Sequence, residues 1–372
     1  MEQIITNPMP LKQQLNLKYI DFLRGIAILL VIICHVSQAQ KDINTLSRGI
    51  LDFGKIGVQL FFFLSAYTLC LSMSTRKEQN FIRNFYLRRF FRIAPLYYLG
   101  ILTYFFVSRV PFLNQDIILS NYRSYTISNV LDNVFFIHGL IPSANNSIVP
   151  GGWSIGTEML FYLIFPFLFM LFSKMNVKLF YLIPFLALFI AIAFSIKAYQ
   201  FDRNIFRDPF YYNHILNQLP VFIIGMSYFF LEKSVLIKFN YFTNIACFIL
   251  LISSSFILMH LLKQNISLSI FLAAISFVFL MNLFKEVKLS LRLLQRIGQL
   301  SFSIYIFHFL FAYPLVIQLL HLINGRINPY ILYSISLIIT FLFSIFIATI
   351  SENVIEKRGV TIGKSIINSF KR

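Results

Sequence analysis

An arginine and a histidine eleven residues apart, Arg24 and His35, stand in the first long apolar run of this 372-residue chain. Eleven helical steps of 100° make three turns plus about 20°, so the two side chains share a face, roughly 16 Å apart along the axis. Asp21 falls about 40° from His35 on that face. Ionisable groups inside an apolar helix cost free energy, so their default reading is a pathway or a site.

Three further clusters carry chemistry. Ser154, Glu158 and Tyr162 recur every four residues and form a polar stripe at the start of another apolar run, beside Trp153. Trp153 by itself is an ordinary interfacial belt residue, whereas a carboxylate at Glu158 needs a partner or a role. Ser301, Tyr305 and His308 share one face of a later run. A histidine hydrogen-bonding between helices is as good a reading there as a catalytic one. Arg88, Arg89 and Arg92 fall within about one turn of each other, with Arg83 upstream. Guanidinium forks match phosphate oxygens, as on a nucleotide-bearing acyl donor. Topology anchoring and lipid headgroup contact are the competing reading.

The elements that must position these groups are apolar helices. The chain is 58% hydrophobic and 12% charged, with 45 Phe and 19 Tyr, which excludes an ordinary soluble protein. The runs are too continuous for alternating barrel strands. The sequence therefore predicts an all-α polytopic bundle of about ten spans: 20–38, 56–74, 94–109, 155–173, 178–197, 215–232, 241–262, 266–284, 300–321 and 330–351. The formal charge of +18 matters through its distribution, and no nucleic-acid partner is expected. With both termini cytoplasmic, roughly two thirds of the 32 Lys and Arg lie on the inner side, as the positive-inside rule requires. Arg24 is then near the inner surface and His35 in the outer half. One domain is expected over residues 1–372, with a cytoplasmic tail at 1–18, a main outer loop at 110–154 that includes a short interfacial helix near 128–138, and a basic cytoplasmic tail at 353–372. Cys34, Cys70 and Cys247 read as apolar core residues, with neither disulfide nor metal-ligand spacing, so no metal is expected.

These blocks together resemble the acyltransferase-3 family of integral-membrane O-acyltransferases over nearly the whole chain. The matching residues are Ile20-Asp21-Phe22-Leu23-Arg24-Gly25-Ile26-Ala27 with His35, then residues 57–67 and Phe85-Tyr86-Leu87-Arg88-Arg89-Phe90-Phe91-Arg92-Ile93-Ala94-Pro95. Trp153-Ser154 with Glu158 and Phe161-Tyr162, and the block 301–308, complete the series. Met159 and Leu160 stand where many members carry a second acidic residue and a glutamine. The resemblance implies transfer of an acyl group, with acetyl the first expectation, from cytoplasmic acyl-CoA to a hydroxyl of a surface glycan or lipid-linked oligosaccharide. It also implies residence in the plasma membrane, the inner membrane of a bacterium, among membrane lipids. Acyl-CoA enters as co-substrate and no bound cofactor is expected. On that reading His35 is the general base, Glu158 orients it or stabilises its imidazolium, and Arg24, Arg88, Arg89 and Arg92 bind the donor. Asp21, Trp153, Ser154, Tyr305 and His308 support them. A transporter or flippase of a lipid-linked sugar is the alternative, weakened by the absence of matching Gly/Pro-interrupted spans in two halves. A glycan polymerase is a third, which would not need the arginine cluster.

Overall fold

The computed structural model describes residues 18–40, 43–76, 78–109, 125–201, 209–234, 239–261, 266–286, 291–323 and 327–370. Residues 1–17 of the expected N-terminal tail, the first third of the expected outer loop and the last two residues of the basic tail lie outside these. Among the described residues every regular element is a helix. They are α1 (Lys18–Ala39), α2 (Thr45–Asp52), a 3-10 turn (Phe53–Ile56), α3 (Gly57–Thr75), α4 (Phe81–Val107), α5 (Ile127–Val134), α6 (Gly152–Ser173) and α7 (Ile183–Phe201). There follow α8 (Pro209–Asn213), α9 (Ile215–Ser234), α10 (Tyr241–Phe256), α11 (Ile266–Glu286), α12 (Arg292–Gln299), α13 (Ser301–Phe307), α14 (Phe309–Ala312), α15 (Pro314–Ile323), α16 (Pro329–Ser351) and α17 (Lys357–Ser369). Among the described residues ten stretches are long and apolar enough to cross a membrane, in the order that the apolar runs predict.

Three boundaries differ from expectation. Helix α4 starts at Phe81, not near residue 94, so Arg83, Arg88, Arg89 and Arg92 occupy the first turns of a spanning helix. Arginine is a good helix former whose stem packs on apolar surface while its head stays polar, so charge alone does not end the helix. The ninth run is broken into α13, α14 and α15. Pro314 has no N–H and disfavours helical geometry at Tyr313, whose φ is −101°. The last run continues through a π turn (Glu352–Glu356) into α17, so most of the expected basic tail is helical.

The chain divides into two compact units, one formed by Met1–Arg24, Val58–Phe81 and Phe161–Gln295, the other by Gly25–Gly57, Ile82–Leu160 and Arg296–Arg372. In the first, Phe222 stacks on Phe62 at 4.6 Å and on Phe161 at 4.0 Å between ring centroids. Gly225 lets α9 approach the backbone of Phe63, where a Cβ would clash with the carbonyl. The buried Gln59 amide nitrogen donates to the Tyr212 hydroxyl at 2.8 Å and to Gln218 Oε1 at 3.0 Å. Lys285 forms an ion pair with Glu232 and lies 5.0 Å from the Tyr228 ring and 5.2 Å from that of Tyr67. Those faces attract the ammonium and let it sit within an apolar helix.

In the second unit, the segment Gly54–Gly57 presses on α1. A Cβ on Gly54 would strike the Leu30 carbonyl oxygen, and one on Gly57 that of Ala27. Small residues are what allow such backbone approach within a bilayer. Helix α5 is capped by Thr126, whose hydroxyl accepts from the Asn129 N–H at 3.1 Å. The Tyr97 hydroxyl donates to Asn133 Oδ1 at 2.6 Å and meets His138 Nε2 at 3.2 Å. His138 Nε2 lies 3.0 Å from the Gly152 carbonyl, and burial holds this imidazole below its ordinary pKa. This buried network ties the loop of α5 to the start of α6.

Candidate active site

His35 lies in the second unit, on a helix whose Ala27, Ile28, Val31, Ile32 and Cys34 are each fully buried. Its side chain is half-buried. His35 Nδ1 is 3.1 Å from Gln38 Oε1 and 3.2 Å from the Tyr313 hydroxyl, which itself donates to Gln38 Oε1 at 2.9 Å. Gln38 Nε2 donates to Cys34 Sγ at 3.4 Å, which assigns the amide oxygen to the imidazole side. An amide oxygen only accepts, so Nδ1 carries the proton and Nε2 presents a lone pair. Among the described residues no hydrogen bond reaches Nε2.

The rings of Phe309 and His308 stand 4.4 Å and 5.3 Å from that of His35, between centroids. His308 is fully buried and its Nδ1 lies 2.8 Å from the Tyr305 carbonyl. The two imidazoles are thus held in the same tautomer by different means. Tyr305 donates to the Gly151 carbonyl at 3.0 Å and accepts from Ser154 at 2.8 Å. Gly151 has φ +76°, and a Cβ there would also meet the Phe309 ring at 2.8 Å. Only glycine suits that position on both counts. Trp153, two residues on, is half-buried in the first turn of α6. Glu158 is half-buried one turn beyond Ser154 and lies within electrostatic reach of Tyr305.

The expected stripe on α6 is divided. Ser154 and Glu158 face the second unit's own residues, while Tyr162 meets the Ser65 hydroxyl at 3.3 Å in the first unit. The groups that hydrogen-bond His35 Nδ1 are Gln38 and Tyr313. Gln38 was within reach of sequence reasoning, since it lies three residues from His35 on the same helix. Tyr313 was not, because 278 residues separate it from its partner.

Arg24 lies in the first unit, where it pairs with Asp21 at 3.4 Å and donates to the Thr68 hydroxyl at 3.3 Å. The other arginines belong to the second. Arg88 and Arg89 are half-buried and Arg92 is exposed. The Arg89 guanidinium lies 5.9 Å from the Phe85 ring centroid, and that of Arg83 sits 4.3 Å over Phe370. The helix presents a basic strip in which Arg83 and Arg89 lean on aromatic rings.

Ten helices among the described residues that are long and apolar enough to cross a membrane define a multi-pass membrane protein. The chain belongs to the acyltransferase-3 family, described as an acyltransferase domain, whose model matches residues 17–349. It is 27% identical over 170 residues to acyltransferase MdmB of Streptomyces mycarofaciens, covering 42% of this chain and 40% of that one. It is 30% identical over 164 residues to the peptidoglycan O-acetyltransferase OatA of Listeria monocytogenes, covering 42% and 24%. An uncharacterized protein of Haemophilus influenzae is 26% identical over 177 residues, covering 45% and 71%. The match spans less than half the length of the first two relatives. No solved structure matches the chain.

Proposed function

We propose that this protein is a membrane O-acyltransferase of the bacterial inner membrane that moves an acyl group, acetyl in the first instance, from cytoplasmic acyl-CoA to a glycan hydroxyl. Family membership and the names of two relatives, an acyltransferase and a peptidoglycan O-acetyltransferase, support the reaction class. The observation that carries the mechanism is that Gln38 and Tyr313 both engage Nδ1 of His35, which leaves Nε2 without a hydrogen bond among the described residues. Nε2 takes the proton of the acceptor hydroxyl as its oxygen attacks the thioester carbonyl. The C–S bond then breaks, and the proton passes from the imidazolium to the departing CoA thiolate. Glu158, acting near Tyr305, stabilises the charge that forms transiently at His35. Arg24, held by Asp21, and Arg88, Arg89 and Arg92 bind the anionic donor. Trp153, Ser154, Tyr305 and His308 keep the surrounding helices in register.

The test is purified protein reconstituted in lipid with acetyl-CoA and a lipid-linked or peptidoglycan-type glycan. CoA release accompanied by an acetyl ester on the glycan is expected. Sugar-lipid translocation without donor consumption would overturn the reading in favour of a flippase.

Two substitutions probe its parts. Arg88→Ala removes a charge-assisted contact and is expected to raise the acetyl-CoA KM about tenfold, with kcat changed by a few-fold at most. Steady-state kinetics against donor concentration check it. Gln38→Leu removes the amide that selects the His35 tautomer and leaves Tyr313 to hold the ring alone. It is expected to lower kcat about tenfold or more while the donor KM holds. An unchanged kcat would show that Gln38 does not set the base.

A further inference from the structure

The last spanning helix delivers two carboxylates to a basic region through its π turn (Glu352–Glu356). Isolated π turns inside long helices recur at functional positions. Glu352 is fully engaged: it accepts from Arg296 in a bidentate pair at 3.0 and 2.6 Å, and Lys357 lies 3.6 Å away. That pairing withdraws Arg296 from any external anion.

Glu356 is placed differently. It accepts a hydrogen bond from Ser303 on α13, the helix that also carries Tyr305. One turn further on, Gly359 packs so tightly on α4 that a Cβ would strike the Phe91 carbonyl and lie 3.1 Å from Pro95. Gly363 repeats the contact, with a Cβ position 2.9 Å from that of Phe91. Arg92, the last arginine of the basic strip, lies between Phe91 and Pro95, and Glu356 interacts with it electrostatically. The carboxylate is therefore tethered by a hydroxyl, on a helix locked against α4, beside a cation that is itself exposed.

We propose that Glu356 is the built-in counter-charge of the donor site: it lowers the attraction of the arginine strip for anionic phosphates and so permits release of the CoA product. The inference rests on the assignment of Arg88, Arg89 and Arg92 to donor binding. Product and donor carry the same phosphates, so an uncompensated arginine cluster would hold both. A fixed carboxylate near Arg92 repels both equally, and the gain appears in product release. In this role Glu356 is a positioning residue that acts through Arg92.

Glu356→Gln keeps the side-chain shape and an acceptor for Ser303 while removing the charge. The expected result is a fall of about threefold or more in both the acetyl-CoA KM and the inhibition constant of free CoA, with kcat equal to or below that of the unaltered protein. Glu356→Asp, which retains the charge, should stay within about twofold on both. Glu356→Ala carries the same expectation as the glutamine variant and serves if that protein is not recovered folded. In an Arg92→Gln background the Glu356→Gln effect should shrink, because the coupling runs through that pair. A rise or no change in either constant for Glu356→Gln, or the same change in both backgrounds, overturns the proposal. If Arg88→Ala and Arg92→Gln leave the donor KM untouched, the donor-site assignment itself fails. If they raise it while Glu356→Gln does not lower it, only the counter-charge role fails.

Discussion

His35→Ala protein is expected to insert, purify as a single species and transfer acyl groups about 10²–10⁴-fold more slowly than the unaltered protein. The magnitude is that of a positioned general base, and it should appear in kcat. Donor affinity should survive, since the arginines assigned to the donor lie on other turns and other helices. The fold should tolerate the loss as well. His35 is half-buried, and its described hydrogen bonds go to Gln38 and Tyr313, which also bond to each other. Gln38→Leu belongs to the same test at lower amplitude, because it disturbs the tautomer without removing the imidazole. Folded His35→Ala protein with undiminished turnover would remove His35 from the mechanism, whatever the family resemblance implies.

Gly54→Val is expected to be the most damaging single change away from the reacting groups. A Cβ at Gly54 meets the carbonyl oxygen of Leu30, and backbone cannot rotate aside as a side chain can. Helix α1 must shift to relieve the clash, at a cost of about 1–3 kcal/mol for overpacking. Leu30 lies on α1 between Arg24 and His35, so the shift would also move the imidazole. A displacement on the order of 1 Å at a catalytic group can cost about 10²-fold in rate. Thermal unfolding in detergent, followed together with turnover, should show both losses. Gly49→Ala in α2 is the matched control, since nothing lies within 4 Å of a Cβ there. It should be neutral or slightly stabilising, because alanine favours a helix by about 1 kcal/mol over glycine. If Gly54→Val behaved like Gly49→Ala, the close crossing of the Gly54–Gly57 segment over α1 would be disproved.

The relation between the two substitutions follows from how the chain is built. Local pattern was enough to find the spans, because an apolar run of membrane length has one stable backbone solution in lipid, a helix with its hydrogen bonds closed internally. It was also enough to find His35, Glu158 and the arginines, since an ionisable group in such a run stands out by its cost. Helix ends were less legible. The apolar run places the start of the third span near residue 94, whereas helix α4 begins at Phe81 and runs through the arginines. The break of the ninth run was signalled by Pro314, but the tether of His308 to the carbonyl one turn back was not.

What the sequence determined by itself is therefore the class of protein and the candidates for its chemistry: a run of apolar helices, one face bearing Arg24 and His35, a basic strip, and the blocks of the acyltransferase-3 family. Only the tertiary structure decided who their partners are. It set Gln38 and Tyr313 on His35, put His308 5.3 Å from its ring, paired Arg24 with Thr68, and brought Glu356 to Ser303. The reason is physical. Burial cost depends on one residue and its immediate neighbours, so it is written in local sequence. A hydrogen bond between residues 278 positions apart depends on how closely two helices can approach, and that is settled by glycines and side-chain volumes elsewhere in the chain.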